Sequence, residues 1–336
     1  MSRWKLVIAA LILVFGGTGL GVGLWLRNAL RPVEAGQTRI FQVPAGASGS
    51  RIARGLWRSG LIRNPRAFEL GLRWWGLGSE LKPGYYEMSP GMAPEAIARK
   101  IAAGETAKWR LTIPEGFIVP QIAERAARHP SVDLEEFLEA AEGAELGSEV
   151  GLDLPPASGA EGFLFPETYV LEYGAPAQDV ILAMLREFQR RIEPLHDEIA
   201  ASALSLAEIV TLASLIEREA MVAAERPVIS AVYHNRMARG MKLECDATVV
   251  YIWARRGVVK RRLLYEDLKV ESPYNTYKHK GLPPGPIANP GIDCIRAALR
   301  PADVDYLYYV ARGDGSHIFS ETFKGHRAAI ARIRGR

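Results

Sequence analysis

What this sequence lacks narrows its chemistry before anything else does. It has only two cysteines, Cys245 and Cys294, and their separation matches no zinc-binding or redox spacing. In an oxidising compartment they could pair, but two independent buried thiols are the simpler expectation. His234, His279, His317 and His326 fall in the C-terminal half, yet none stands at metal-ligand spacing and no His-x-x-x-His occurs. A metal site is therefore not expected. A phosphate-cradling glycine loop and a Gly-x-Ser-x-Gly elbow are both missing. A Schiff-base lysine with a phosphate cup is missing too, so no cofactor is expected. Internal repeats and low-complexity tracts do not appear. The net charge of +4 is too small, and the basic residues too scattered, to suggest a nucleic-acid partner. The basic stretch from Lys324 to Arg336 reads as a solvated helix face, with weak attraction to an anionic surface as the alternative.

Long apolar runs are also scarce, with one exception. Leu6 to Leu26 carries no charged residue and is long enough to cross a bilayer core of ~30 Å as a helix. Arg3 and Lys5 precede it and Arg27 and Arg31 follow it, so the flanking charges give only a slight vote for a cytoplasmic N-terminus. A cleaved signal peptide would need a site near Val33 and Ala35, well beyond the apolar run, so an uncleaved anchor is the preferred reading. The expectation is a single-pass protein of the cytoplasmic (inner) membrane, with the folded remainder on its outer, periplasmic side.

The remainder has an ordinary globular balance, 48% hydrophobic and 24% charged, with enough apolar material for a sizeable core. The pattern predicts an α+β fold in four parts: a tail and anchor over 1–35, a small α+β module over 36–110, a connecting segment over 111–160, and a larger α+β domain over 161–336. In the small module, Ser48 or Ser50 caps a helix bearing Ile52 and Leu56, and a second helix follows Asn64-Pro65. A strand follows Lys82-Pro83-Gly84, and a helix over 93–103 stops at Gly104. Next come a strand over 109–113 and two helices, near 120–128 and 134–141. Leu146 to Ala160, with Pro155-Pro156, reads as a loop and domain boundary. Long helical patterns over about 176–193 and 205–239 open the larger domain, followed by an irregular stretch rich in proline, glycine and tyrosine through Gly291.

Two features of the larger domain carry chemistry. On a helix from Leu206 to Glu225, the apolar residues Ile209, Leu212, Ala213, Ile216, Ala220 and Ala223 recur at helical spacing. Glu217 and Glu219 lie on opposite flanks, because a two-residue step turns a helix by about 200°. Glu219 has the larger apolar neighbours. Burial there would disfavour its charged form and let it hold a proton, as a general acid at a glycosidic oxygen must. On pattern alone, two solvated carboxylates flanking Arg218 are the plainer description of the helix. The second feature is the run Ser272-Pro273-Tyr274-Asn275-Thr276-Tyr277 through Gly281-Leu282-Pro283-Pro284-Gly285-Pro286-Ile287-Ala288-Asn289-Pro290-Gly291. Its prolines and glycines fix an irregular backbone from which amides, hydroxyls and phenols project, a surface suited to sugars or an ordinary structural loop.

Taken with Glu161-Gly162-Phe163-Leu164-Phe165-Pro166-Glu167-Thr168-Tyr169, the Leu212-to-Glu219 run, Tyr233-His234-Asn235-Arg236-Met237, Asp305-Tyr306-Leu307-Tyr308-Tyr309-Val310 and His317-Ile318-Phe319-Ser320, these motifs resemble the endolytic murein transglycosylases of the YceG-like group. The resemblance covers nearly the whole chain, including the anchor and the small module, which looks like a LysM-type glycan-binding fold. It implies non-hydrolytic cleavage of the MurNAc–GlcNAc bond of nascent peptidoglycan, leaving 1,6-anhydro-MurNAc ends and ending elongation of the strand. It maps the catalytic acid to Glu219 and places Glu217 behind it. Asn235, Asp246, Thr248, Tyr274, Asn275 and Thr276 become substrate contacts by motif position. The implied partners are glycan strands, the inner membrane and cell-wall synthases.

One departure stands out. The family pattern after Arg236 runs Leu-Gln-[Ser/Thr]-Asp-Pro-Thr, whereas this chain has Leu243-Glu244-Cys245-Asp246-Ala247-Thr248. The missing proline puts loop rigidity in question, not the reaction class. Two other classes stay open at this point. A wall-binding scaffold would have the fold without turnover, and a hydrolytic muramidase would need a second carboxylate, for which Asp246 is the candidate.

Overall fold

The computed structural model describes Trp4, Thr18 and residues 20–143, 145–260 and 262–335. Most of the apolar run Leu6 to Leu26 lies outside these residues; 20–29 are helical. Among the described residues, no single helix is long and apolar enough to cross a membrane. The rest is a mixed α+β chain dominated by helices, with three small two-stranded sheets. It divides into two compact units, one comprising the chain through Trp109 with Glu172–Gly174, the other Arg110–Leu171 with Ala175–Arg336.

The first unit is ordered β-α-α-β-α. Strands β1 (Arg39–Val43) and β2 (Gly84–Met88) pair antiparallel, with Arg39 opposite Met88 and Val43 opposite Gly84. Alternate residues Phe41, Val43, Tyr86 and Met88 point into the core, as a period of two requires. Between the strands lie α1 (Gly49–Arg58) and α2 (Pro65–Trp74), and α3 (Pro94–Ala103) follows. Their starts were written in the sequence. The Ser48 hydroxyl accepts from the Arg51 N–H, the Asn64 side chain accepts from the Ala67 N–H, and Pro65 and Pro94 occupy first turns. Gly104 ends α3 with φ +76°, where a side chain would be strained. Ile52, Leu56, Phe68, Leu72, Ile97 and Ile101 fill the space against the sheet. The hydroxyl of the fully buried Tyr86 donates to the Lys82 carbonyl, so its burial leaves no polar group stranded.

Strands β3 (Lys108–Thr112) and β4 (Thr168–Glu172) form the second sheet. The second unit then comprises α4 (Val119–Ala126), α5 (Leu134–Glu142), α6 (Glu145–Glu149), α7 (Ala177–Ile192) and α8 (His196–Ala201), followed by α9 (Leu206–Glu219), α10 (Arg226–Ala238), α11 (Asp246–Arg255) and α12 (Ile292–Leu299). The hairpin β5 (Tyr308–Ala311) and β6 (His317–Ser320) precedes α13 (Phe323–Arg334). The irregular stretch between α6 and β4 is held within this unit, with Leu152, Leu154 and Ala160 buried.

At its centre, α9 packs against α10, α11 and α12. The apolar spacing predicts one buried face, but every residue from Ile209 to Ile216 is buried. Two polar residues tolerate this because their hydroxyls are satisfied locally: Thr211 donates to the Ala207 carbonyl and Ser214 to that of Thr211.

The single helical pattern expected over 205–239 is instead two helices with an interruption. A continuous helix would drive the Pro227 ring into the Ala223 carbonyl one turn earlier. The chain leaves the helix at Ala220, whose backbone is extended, and restarts with Pro227 in the first turn of α10. Ala220 and Ala223 therefore do not extend the apolar stripe of α9, and Glu219 is its last residue.

Candidate active site

Glu219 stands where α9 stops, and the break after it is what lets other elements crowd its carboxyl. The residue keeps some surface toward solvent, but the carboxyl group itself is packed among protein atoms. The Cys245 thiol, just before α11, donates to Glu219 Oε1 at 3.3 Å. The Tyr309 hydroxyl from β5 also bonds the carboxyl, and it lies 2.9 Å from the Tyr233 hydroxyl of α10. Burial pushes the Glu219 carboxyl above the ordinary carboxylate range, and the nearby Asp246 charge adds to this. The Cys245 hydrogen bond, the charge His317 carries when protonated and the Tyr309 hydroxyl pull the other way, and burial prevails. Burial also holds the Cys245 thiol well above its usual range, so it serves as a neutral donor rather than a nucleophile.

A second layer holds these groups. Glu225, in the turn that opens α10, receives both the His317 backbone N–H at 3.0 Å and the ring nitrogen Nδ1 at 2.7 Å. That fixes the imidazole edge-on against Tyr309, with ring centroids 5.2 Å apart. Asp246 is exposed and accepts from the Tyr277 hydroxyl at 2.6 Å. A cavity of about 190 Å³ opens among Arg218, Ala247, Val250, Tyr251 and Lys260.

Glu217 faces the other way. Its carboxylate accepts from the Gly291 N–H at 3.0 Å and lies near Cys294, which is free, as Cys245 is. A third acid, Glu161, is fully buried and receives the Val119 N–H, the Asn289 amide and, at 3.4 Å, the Tyr251 hydroxyl. Burial raises it to about 7 against those donors.

Residues 41–332 of this chain match the YceG-like family. The chain belongs to that family. Among similar proteins of the YceG-like family is an endolytic murein transglycosylase of Bacillus subtilis (strain 168), 33% identical over 92% of this chain and 89% of that one. Another of the same name, from Streptococcus pneumoniae (strain D39), is 29% identical over 85% of this chain; the match spans 57% of that longer protein. A crystal structure of a putative YceG-like protein from Listeria monocytogenes superposes with a TM-score of 0.61 at 33% identity, covering 87% of this chain and 99% of that one.

Against the YceG-like motifs, the residues singled out from sequence fall into three groups. Glu219 and Asp246 share one neighbourhood. Asn235, Thr248, Asn275 and Thr276 have their side chains engaged by the protein itself. Asn235 donates to the Val304 and Tyr306 carbonyls, and Asn275 to those of Leu268 and Val270. Thr276 accepts from the Cys245 N–H, while Thr248 donates to the Cys245 carbonyl. Together the two threonines clamp the backbone that presents the thiol to Glu219. Tyr274 lies with Tyr251, ring centroids 5.2 Å apart, in the electrostatic reach of Glu161 and Arg255. Sequence reasoning missed Tyr233, Tyr309, His317 and Cys245 as neighbours of Glu219, and Glu225 as the partner of His317. No spacing in the chain says that they converge.

The departure from the family pattern has a local explanation. Glu244, before the thiol, adopts φ +49°, the left-handed region, and α11 begins at Asp246 with Ala247 in its first turn. That turn tolerates proline and does not require it. Ala247→Pro is expected to raise the melting temperature slightly, by about 0.5 kcal/mol of stability, as Asp246 becomes the cap. Scanning calorimetry would read the sign.

Proposed function

We propose that this chain is a lytic transglycosylase that cleaves the MurNAc–GlcNAc bond of peptidoglycan strands from a membrane anchor, with Glu219 as acid and then base. The enzyme class rests on family membership and on relatives named endolytic murein transglycosylase. The observation that carries the site is the buried Glu219 carboxyl, raised by burial and bonded by neutral donors. Protonated, it hands its proton to the glycosidic oxygen. The resulting carboxylate, now bonded by Cys245 and Tyr309, accepts the proton of the muramic C6 hydroxyl as that oxygen closes the 1,6-anhydro ring. Opposing shifts on one group suit the two half-reactions, since a carboxyl wholly in either state would fail at one of them. No activated water is needed, so a second carboxylate is not either.

The uncharged run Leu6 to Leu26 supports the anchor, with catalysis on the outer side of the inner membrane and close to new strands. The β-α-α-β order of the first unit supports a LysM-like, glycan-holding role for it. Proximity to the membrane also supports work alongside cell-wall synthases.

Digestion of purified strands with mass spectrometry of the new ends tests this reading. Anhydro-muramic ends are expected. Reducing ends would replace it with a muramidase in which Asp246 takes part, and intact strands would leave a wall-binding scaffold. Within the same reading, His317→Gln removes the charge that a protonated His317 brings to the Glu219 carboxylate. The rate is expected to fall about tenfold and the pH optimum to move upward; an unshifted optimum would deny His317 that role.

A further inference from the structure

At the C-terminal end of α11 the second unit has a cavity of about 410 Å³, and nothing in the proposed chemistry uses it. Its walls include the ring pair Tyr251 and Tyr274, the guanidinium groups of Arg255 and Arg256, Ser158 and Glu142. Its chemistry is cationic. Arg255 holds Glu142 at 3.2 Å, and that carboxylate side chain is 69% exposed, so the pair is weakly held and readily exchanged. Arg256 donates to the Glu271 carbonyl and stacks over Trp253, and among the described residues it pairs with no carboxylate. The Ser158 hydroxyl oxygen is buried without a hydrogen-bond partner. Behind it the backbone is close-packed: a Cβ on Gly285 would come within 2.6 Å of Ser158 and 3.0 Å of the Tyr274 hydroxyl. The cavity wall is therefore built tightly around one unmet hydroxyl.

A second cavity adjoins this one along α11. The smaller cavity that begins at Arg218 and Ala247, next in sequence to Glu219 and Asp246, also reaches Tyr251. The two share that ring and follow α11 from its first turn to its last. From Asp246 to Arg255 the helix rises roughly 14 Å. That is too far for the sugar under attack and suits a branch of the same substrate. In a strand of N-acetylated sugars the rings are uncharged, and the carboxylates beyond the lactyl group sit on the peptides that muramic acid carries. Guanidinium groups recognise carboxylates in paired, directional bonds, whereas uncharged sugar hydroxyls would not call for two of them.

We propose that this cavity binds a carboxylate of the peptide stem, with Arg255 and Arg256 as the anion receptor, Tyr251 and Tyr274 as its apolar wall and Ser158 as an added donor. The proposal rests on the peptidoglycan reading above and adds that the enzyme distinguishes stem-bearing from stripped strands. Glu142 is then a placeholder that the stem carboxylate displaces.

The test compares strands that carry stems with strands stripped by an amidase. For the Arg255→Gln, Arg256→Gln double variant, kcat/KM on stem-bearing strands is expected to fall about tenfold, while that on stripped strands stays within about twofold. Equal losses on both strands, or no preference in the unaltered enzyme, would overturn the stem site. Muramyl dipeptide titrated into the Glu219→Gln protein by calorimetry gives a reading independent of turnover. Binding that weakens in the double variant and tightens in Glu142→Gln supports the site; absence of binding to the parent protein refutes it. If the unaltered enzyme leaves no anhydro ends on either strand but the dipeptide still binds through both arginines, the reaction assignment fails while the cavity assignment stands.

Discussion

Glu219→Gln is expected to abolish anhydro-muramic products, lowering turnover by about a hundred- to ten-thousandfold, without unfolding the protein. The amide has the shape of the carboxyl but can neither give a proton to a leaving oxygen nor take one from the C6 hydroxyl. Its carbonyl oxygen can still accept from the Cys245 thiol and the Tyr309 hydroxyl, the two donors that hold the native group. Stability supplies the control. The folded-state pKa of Glu219 is raised by burial, so whatever stability the group contributes is present at low pH and is lost as pH rises through that value. Glutamine does not titrate. The variant should therefore match or exceed the parent in melting temperature at pH 8 and lose that advantage at pH 4. A large fall in melting temperature at pH 8 would mean that the carboxylate is a structural anchor. Undiminished turnover would remove Glu219 from the chemistry.

Why this glutamate and not Glu217 was only half legible beforehand. The opposite flanks follow from helix geometry and hold in the structure, where Glu217 is tied to Gly291 and Glu219 to Cys245. The reason for burial was not legible. The periodic pattern continues into Ala220 and Ala223 and suggests apolar neighbours on the same helix, whereas α9 ends at Glu219. The neighbours come instead from α10, the segment before α11 and the β5–β6 hairpin, up to 98 residues away at His317. Helix starts were readable where a side chain closes its own turn, as at Ser48 and Asn64. Convergence over long loops leaves no such local mark. Cys245 illustrates the limit: by spacing it is a stray thiol, and only the fold makes it a donor to Glu219.

The same limit hid the role of Asn289 in the second unit. Asn289→Ala is expected to destabilise the protein by about 3–5 kcal/mol, a loss large enough to unfold a marginal domain. The Asn289 side chain is fully buried and makes three bonds, one to Phe117 and two to the Glu161–Leu164 stretch. Its amide donates to the Phe117 carbonyl and to Glu161, both at 2.9 Å, and its oxygen accepts from the Leu164 N–H at 2.8 Å. Alanine leaves the Leu164 N–H without its partner and takes one donor each from Glu161 and the Phe117 carbonyl, all away from water. The pH dependence identifies the cause. Glu161 has its folded value raised to about 7, above the ordinary 4.5. Its stabilising share is therefore complete below about pH 4.5 and is lost as pH rises through 7, roughly 3 kcal/mol in all. Removing the Asn289 donor makes the ionised form still less favourable, so the damage should be deeper at pH 8 than at pH 5. Denaturant melts of the variant at both values would show it. An equal loss at the two would mean that Asn289 acts through the Phe117 and Leu164 backbone alone, with Glu161 indifferent to its nearest amide.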